Sequence, residues 1–294
     1  MTDQQATPVA EQPADKPPQN KASRAGRNLP AAIAVGVALG AMLIAILLFA
    51  PRVWVAVVAV AVAVATNEVV RRLREGGFSI PLLPLLVGGQ AMVWLTWPFG
   101  AAGMLGAFGG TVVVCMIWRL VSGGLSNAPQ NYLRDVSTTV FLAAWVPLFA
   151  SFGVLLIYPE DGAGRVFCLM LGVVGSDVGG YAAGVLFGKH PMAPAISPKK
   201  SWEGLAGSLV LGVATSVLAV RFLTDNPGWV GVPLGLMLVI TGTLGDLVES
   251  QVKRDLGIKD MGTLLPGHGG LMDRLDSLLP TAPVFWLLLA VLVT

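Results

Sequence analysis

Charge is scarce in this chain. Lysine, arginine, aspartate and glutamate make up 12% of its 294 residues, about half the roughly 25% of a soluble domain. A water-facing surface cannot be built over most of such a chain, which argues against an ordinary soluble enzyme. Cysteine is sparse too. Cys115 and Cys168 are the two present, and both lie in apolar runs. Neither a disulfide nor a thiolate metal centre is expected, and both thiols read as small lipid-buried side chains. Histidine is equally rare. His190 and His268 are the two present, and neither has the i, i+4 partner of a helical zinc site.

Apolar surface is what the chain has in quantity. Hydrophobic residues reach 54% and the mean hydropathy is +0.73. A membrane-spanning helix needs about 20 apolar residues. Candidate spans fall at 29–50, 53–70, 80–97, 99–119, 136–158, 164–187, 204–223, 229–248 and 278–294. The expected fold is therefore all-α, a polytopic membrane protein of about nine transmembrane helices. Pro51, Pro81, Pro98, Pro159, Pro227 and Pro280 lie at or near predicted ends, where a missing backbone donor costs least. Residues 1–28 are rich in Pro, Gln, Ala, Asp and Lys. They cannot bury enough surface to offset their ordering entropy and read as a disordered cytoplasmic tail, not a signal peptide. Residues 29–160 then form an N-terminal membrane scaffold, and 161–294 a catalytic membrane region.

Orientation follows from the basic residues. With the N-terminus in the cytoplasm, alternation puts about 16 Lys and Arg on the inner side, leaving Arg52, Arg165 and Arg221 outside. The inner loops after the sixth and eighth spans are the longest and the most charged. Chemistry is expected there, on the cytoplasmic face of an inner membrane.

The densest region is GDLVESQVKRDLGIKDMGTLLPGHGGLMDRLDS, from Gly245 to Ser277. Asp246, Glu249, Ser250 and Lys253 recur at i, i+3, i+4 and i+7, one face of a helix. Two carboxylates at the end of a membrane span are costly unless paired or metal-bound. They read either as interfacial ion pairs or as site residues. Gly257, Gly262, Gly267, Gly269 and Gly270 follow, and glycines let backbone donors approach a phosphate. Asp273 and Asp276 then precede the last span, with Arg274 between them. A hairpin of this kind brings Asp246 and Asp273 together, and hard oxygen ligands suit Mg²⁺.

Upstream, Asp177 sits inside the apolar run 164–187 with Tyr181 at i+4. It either faces a polar cavity or orients packing through a hydrogen bond to Tyr181. Gly180, Gly184 and Gly188 recur near the same face, as Gly204, Ser208 and Gly212 do in the next span, a spacing that lets helices approach closely. Lys199 and Lys200 attract lipid headgroups, at about 1 kcal/mol per charge, or bind phosphate directly. Ser197 and Ser201 cap the seventh span or bond a phosphate oxygen. Gly184 to Lys189 is not a Walker A loop, being short by one residue. Asn67 and Glu68 read as interfacial groups outside the site.

Several segments together resemble one family. They are Ser250-x-Val252-Lys253-Arg254, Lys259-Asp260-x-Gly262, Leu265-Pro266-x-His268-Gly269-Gly270-Leu271-x-Asp273-Arg274-Leu275-Asp276, and upstream Asp177-x-x-x-Tyr181 and Ile196-Ser197-Pro198-Lys199-Lys200-Ser201-Trp202-Glu203-Gly204. These resemble the phosphatidate cytidylyltransferases, the CDP-diacylglycerol synthases, over roughly residues 165–280. The resemblance implies a homodimeric membrane synthase that uses CTP and phosphatidic acid among membrane lipids, with no nucleic-acid partner. It implies Mg²⁺ held by Asp246 and Asp273, with K⁺ as a second ion. On this reading Lys200, Lys253, Arg254 and Arg274 neutralise phosphates, and Asp276 shapes the site. Ser197, Lys199, Ser201, Ser250, Lys259, His268, Gly269, Gly270, Asp177 and Tyr181 contact substrate. The rivals are a CTP-dependent lipid-alcohol kinase and a polytopic transporter with Asp177 on its pathway.

Overall fold

The protein is described here by a computed structural model covering residues 29–126, 128–264 and 269–293. The tail predicted at 1–28 and His268 lie outside the described residues. The valine-rich run of α2 (Val53–Glu75) is a poor helix former in water, yet it is helical throughout. In lipid only a helix satisfies every backbone donor within one segment, so propensity yields to the solvent. Its inward stripe is regular: Val55, Val58, Val62, Ala65, Val69 and Leu73 are buried at intervals of three and four.

The chain begins with α1 (Leu29–Phe49) and α2. The predicted spans 80–97 and 99–119 prove to be one element. α3 (Leu82–Val121) runs for 40 residues and bends at Gly100, whose φ of 60° and ψ of −144° are not helical. Pro98, predicted to end a span, sits inside the bend, where its missing donor breaks the ladder without ending the helix. α4 (Tyr132–Ala143), a π turn (Ala144–Leu148) and α5 (Phe149–Ile157) form the next crossing. Pro147 lies in that π turn, the local form that absorbs a lost hydrogen bond.

The second half contains α6 (Gly162–Phe187), a short antiparallel hairpin of β1 (Pro191–Ala193) and β2 (Ser197–Ser201), and α7 (Trp202–Leu223). After a 3₁₀ turn (Gly228–Val230) come α8 (Gly231–Asp255), α9 (Met272–Leu275) and α10 (Leu278–Leu292). Among the described residues, seven helices or helical runs are long and apolar enough to cross a membrane. The fold is therefore all-α and multi-pass.

α6 and α7 make the closest helix pair, and small residues are the reason. A Cβ on Gly179 would overlap the Gly207 carbonyl, and one on Gly207 would overlap that of Gly179. Ser208 Oγ donates to the Ser176 carbonyl at 2.8 Å across the same seam. One buried cluster joins α2, α5, α6, α8 and α10. A second joins α2, α3 and the π turn to Met261 and Met272, so the segment between α8 and α9 is anchored on the first half of the molecule.

Candidate active site

The β hairpin closes one wall of a cavity. At its base, Glu203 accepts from the backbone N–H groups of Lys189 and His190, each at 3.2 Å, and its other oxygen meets His190 Nδ1 at 2.5 Å. Ser201 takes the capping role: its Oγ accepts from Gly204 N at 3.1 Å and starts α7. At the tip, Arg254 Nε donates to the Ile196 carbonyl at 3.2 Å, tying the hairpin to the end of α8. Both lysines of the hairpin line the cavity.

That cavity has a volume of about 360 Å³, at the lower end of the range for small-molecule sites. It brings together Asp177 and Tyr181 of α6, Ser197, Lys199, Lys200 and Ser201 of the hairpin, and Asp246 of α8, with Ser277 beside α10. Asp177 thus lines a cavity, and no Asp177–Tyr181 hydrogen bond is present among the described residues. Lys200 Nζ lies 2.6 Å from Asp246 Oδ2 and 3.3 Å from the Thr243 carbonyl. Ser250 donates to Asp246 Oδ1 at 3.2 Å from one turn on.

Asp273 lies in an adjoining nest and is not among the residues lining the cavity. Both its oxygens accept from Met261 N, at 3.0 and 3.1 Å, and Gly270 N donates at 2.9 Å. Lys253 Nζ stands 3.1 Å from Asp273 and 3.2 Å from Glu249. Gly269 has a φ of 83°, the left-handed region that lets the loop turn there. Of the described loop amides, those of Met261 and Gly270 are thus directed at the loop's own aspartate.

Asp276 joins the two nests. It acts electrostatically on Asp177 and Glu249, and Asp246 acts on it in turn. Its own Oδ1 accepts from Ser277 N at 2.6 Å. Arg274 is near enough to act on Asp177. Two other predicted residues fall elsewhere. Lys259 is exposed and outside the cavity lining, and Arg254 reaches the hairpin tip and not a carboxylate.

Two acidic residues matter more than the sequence indicated. Glu249 is fully buried, and its Oε2 forms an ion pair with Lys253 Nζ at 3.2 Å. Its neighbours are Lys253 and the carboxyl of Asp276. Glu68, expected at the membrane interface, instead accepts from Met272 N at 2.9 Å. The burial of Glu249 beside Asp276 and a contact across 204 residues leave no local signal in the sequence.

Among the described residues no trio of His, Cys, Asp or Glu is arranged to hold a metal ion by itself. The donor set nonetheless fits Mg²⁺, which takes one or two carboxylates and completes its shell with water and substrate phosphates. Asp177, Asp246, Glu249, Asp273 and Asp276 outnumber the neighbouring cations Lys199, Lys200, Lys253 and Arg274. A nucleoside triphosphate and a phospholipid would add further negative charge. A divalent cation would offset both.

Residues 30–292 match the model of the cytidylyltransferase family. The chain is 64% identical to a phosphatidate cytidylyltransferase of Mycobacterium bovis, over 96% of both chains. It is 65% identical to that of Mycobacterium leprae, over 92% of this chain and 90% of the other. A more distant likeness, 39% identity over 51% of this chain and 54% of its relative, is to a phosphatidate cytidylyltransferase of Pseudomonas aeruginosa.

Proposed function

This chain belongs to the cytidylyltransferase family, and from that premise we propose that it joins CTP to phosphatidic acid, giving CDP-diacylglycerol and pyrophosphate. The observation that carries the reading is the Lys200–Asp246 pair, 2.6 Å apart on the wall of a cavity beside a buried acidic cluster. Supporting it, lysines suited to phosphate oxygens stand beside a carboxylate suited to a metal ion at the ends of apolar helices.

A non-bridging phosphate oxygen of phosphatidic acid forms a bond to the α-phosphorus of CTP. The bond from that phosphorus to the oxygen bridging to the β-phosphorus breaks, and pyrophosphate leaves with that oxygen. The lipid phosphate is already anionic at neutral pH, so alignment and charge neutralisation are required and a strong base is not. Lys199 and Lys200 on the hairpin bind phosphate oxygens. Ser250 orients the Asp246 carboxylate through its 3.2 Å hydrogen bond. Met261 N, Gly270 N and Lys253 fix that of Asp273. Asp246 and Asp273 are the residues that would hold Mg²⁺, which when bound supplies charge neutralisation to the triphosphate.

The same proposal includes nine crossings, a cytoplasmic N-terminus, a homodimer, and a site facing the cytoplasm of an inner membrane. Supporting it are α1, the two arms of α3 on either side of Gly100, and the one-sided distribution of Lys and Arg.

The test uses purified protein with phosphatidic acid and CTP labelled at either the α- or the γ-phosphate. Label from the α position is expected in the lipid, and label from the γ position in pyrophosphate. Lipid labelled from the γ position would identify a kinase instead, and intact CTP would remove the reading.

A further inference from the structure

We propose that Glu68 of α2 is the positioning residue for the Asp273 loop, so that a helix from the first half of the chain sets the geometry of the site in the second. The inference rests on Asp273 being a site residue.

The contact is specific. Glu68 Oε2 accepts from Met272 N at 2.9 Å, across 204 residues of sequence. Two glycines of the loop close over the same carboxylate. A Cβ on Gly262 would overlap Glu68 Oε1, and one on Gly270 would lie 2.7 Å from Oε2. The two glycines also pack on each other, since that Gly270 Cβ would stand 2.6 Å from Gly262 N. One turn along α2, Arg72 Nε donates to the Met261 carbonyl at 3.0 Å. α2 therefore grips the loop at the Met261 carbonyl and the Met272 N–H, next to the two amides that hold Asp273. Those amides belong to Met261 and Gly270. The contact path runs from Glu68 and Arg72, through loop backbone, to both oxygens of Asp273.

Two further observations separate this from a glutamate resting at an interface. Among the described residues Glu68 Oε1 is buried with no hydrogen-bond partner, and an unsatisfied buried acceptor costs about 1–3 kcal/mol. A carboxylate that only rested at the membrane interface would turn that oxygen to solvent. The loop, for its part, keeps glycine at both positions where a side chain would push the carboxylate away.

The test compares Glu68→Ala, Glu68→Gln and the exposed neighbour Asn67→Ala in the full chain. Amide hydrogen exchange at residues 261–273 is followed beside steady-state kinetics. Glu68→Ala is expected to lower kcat about 10²-fold, as misplacement of a site by roughly 1 Å does. The KM for CTP should stay within about threefold, and exchange at Met261 and Gly270 should rise about tenfold or more. Glu68→Gln keeps an acceptor for Met272 N and should restore both protection and most of kcat. Asn67→Ala should change neither. Where Glu68→Ala does not fold, Gly262→Ala attacks the same contact from the loop side and should give the same kcat loss.

Normal kcat and normal exchange in either variant would overturn the proposal. So would a Glu68→Ala protein that melts earlier yet keeps both, which is a purely structural role. A Glu68→Gln protein as impaired as Glu68→Ala would also overturn it, because the charge and not the contact would then be required. If the unaltered chain makes no CDP-diacylglycerol, the functional reading fails, while the exchange data still decide whether Glu68 orders the loop.

Discussion

Asp135 and Asp246 both meet cations inside a membrane protein, but the balance of charge around them is opposite. Asp135, 1% exposed, receives Arg119 on one oxygen at 2.9 Å and Arg134 on the other at 3.0 Å. The same arginines hold the Gln130 and Gly77 carbonyls, and Arg134 lies 4.5 Å above the Phe78 ring centroid. One carboxylate is saturated there by two guanidiniums, and the cluster ties α3 to α4 and to the turn after α2. Around Asp246 the carboxylates are in excess, and buried Glu249 shares the single ammonium of Lys253 with Asp273. A saturated cluster is a fastener. An acid-rich cluster beside a cavity is, on the proposed reading, where a further cation and the substrate phosphates would bind.

The contrast gives a graded set of expectations. The largest effect falls on the acid-rich side. Asp246→Asn and Asp273→Asn should each lower CDP-diacylglycerol formation at least about 10³-fold, with membrane insertion unchanged, as read by labelled lipid per folded molecule. Lys200→Ala should cost about 10²-fold in kcat/KM, read as separate dependences on CTP and phosphatidic acid. An unchanged dependence would make Lys200 a headgroup anchor. Asp135→Asn should invert the pattern. Removing the buried partner of two arginines should destabilise the fold by about 3 kcal/mol, seen in denaturant unfolding, with kcat per folded molecule within about twofold. A catalytic loss there would break the division between fastener and site. The smallest effect is expected for Arg254→Ala, which frees the hairpin tip from α8. It should raise the KM for CTP about fivefold with little change in kcat, since a single exposed charge-assisted hydrogen bond is worth about 1 kcal/mol.

Most of the helical layout was legible because uninterrupted apolar runs in lipid have one solution. The predicted runs at 53–70, 164–187 and 204–223 overlie α2, α6 and α7. The bend at Gly100 was not legible, because Pro98 in a membrane segment marks a kink as readily as an end. The hairpin of β1 and β2 was hidden as well. Ser197 to Ser201 has no alternating apolar pattern, and the hairpin is held at its base by Glu203 and Trp202 N and at its tip by Arg254. Within the site, the Asp246, Ser250 and Lys253 face followed from helical spacing alone. The amides closing on Asp273 did not, since glycine content predicts freedom to approach and not the partner approached. Glu68 left no trace because its partner is 204 residues away.

The most direct measurement is thermal unfolding of the purified chain with and without Mg²⁺ and a non-hydrolysable CTP analogue, repeated for Asp246→Asn, Asp273→Asn and Asp135→Asn. A ligand present at about 100 times its Kd should stabilise the native state by about 2.7 kcal/mol. The unaltered chain and Asp135→Asn are expected to show that Mg²⁺-dependent gain, and the two site variants to lose it. Equal stabilisation of all four proteins would contradict the assignment of the acid-rich cluster as the place where cation and nucleotide meet.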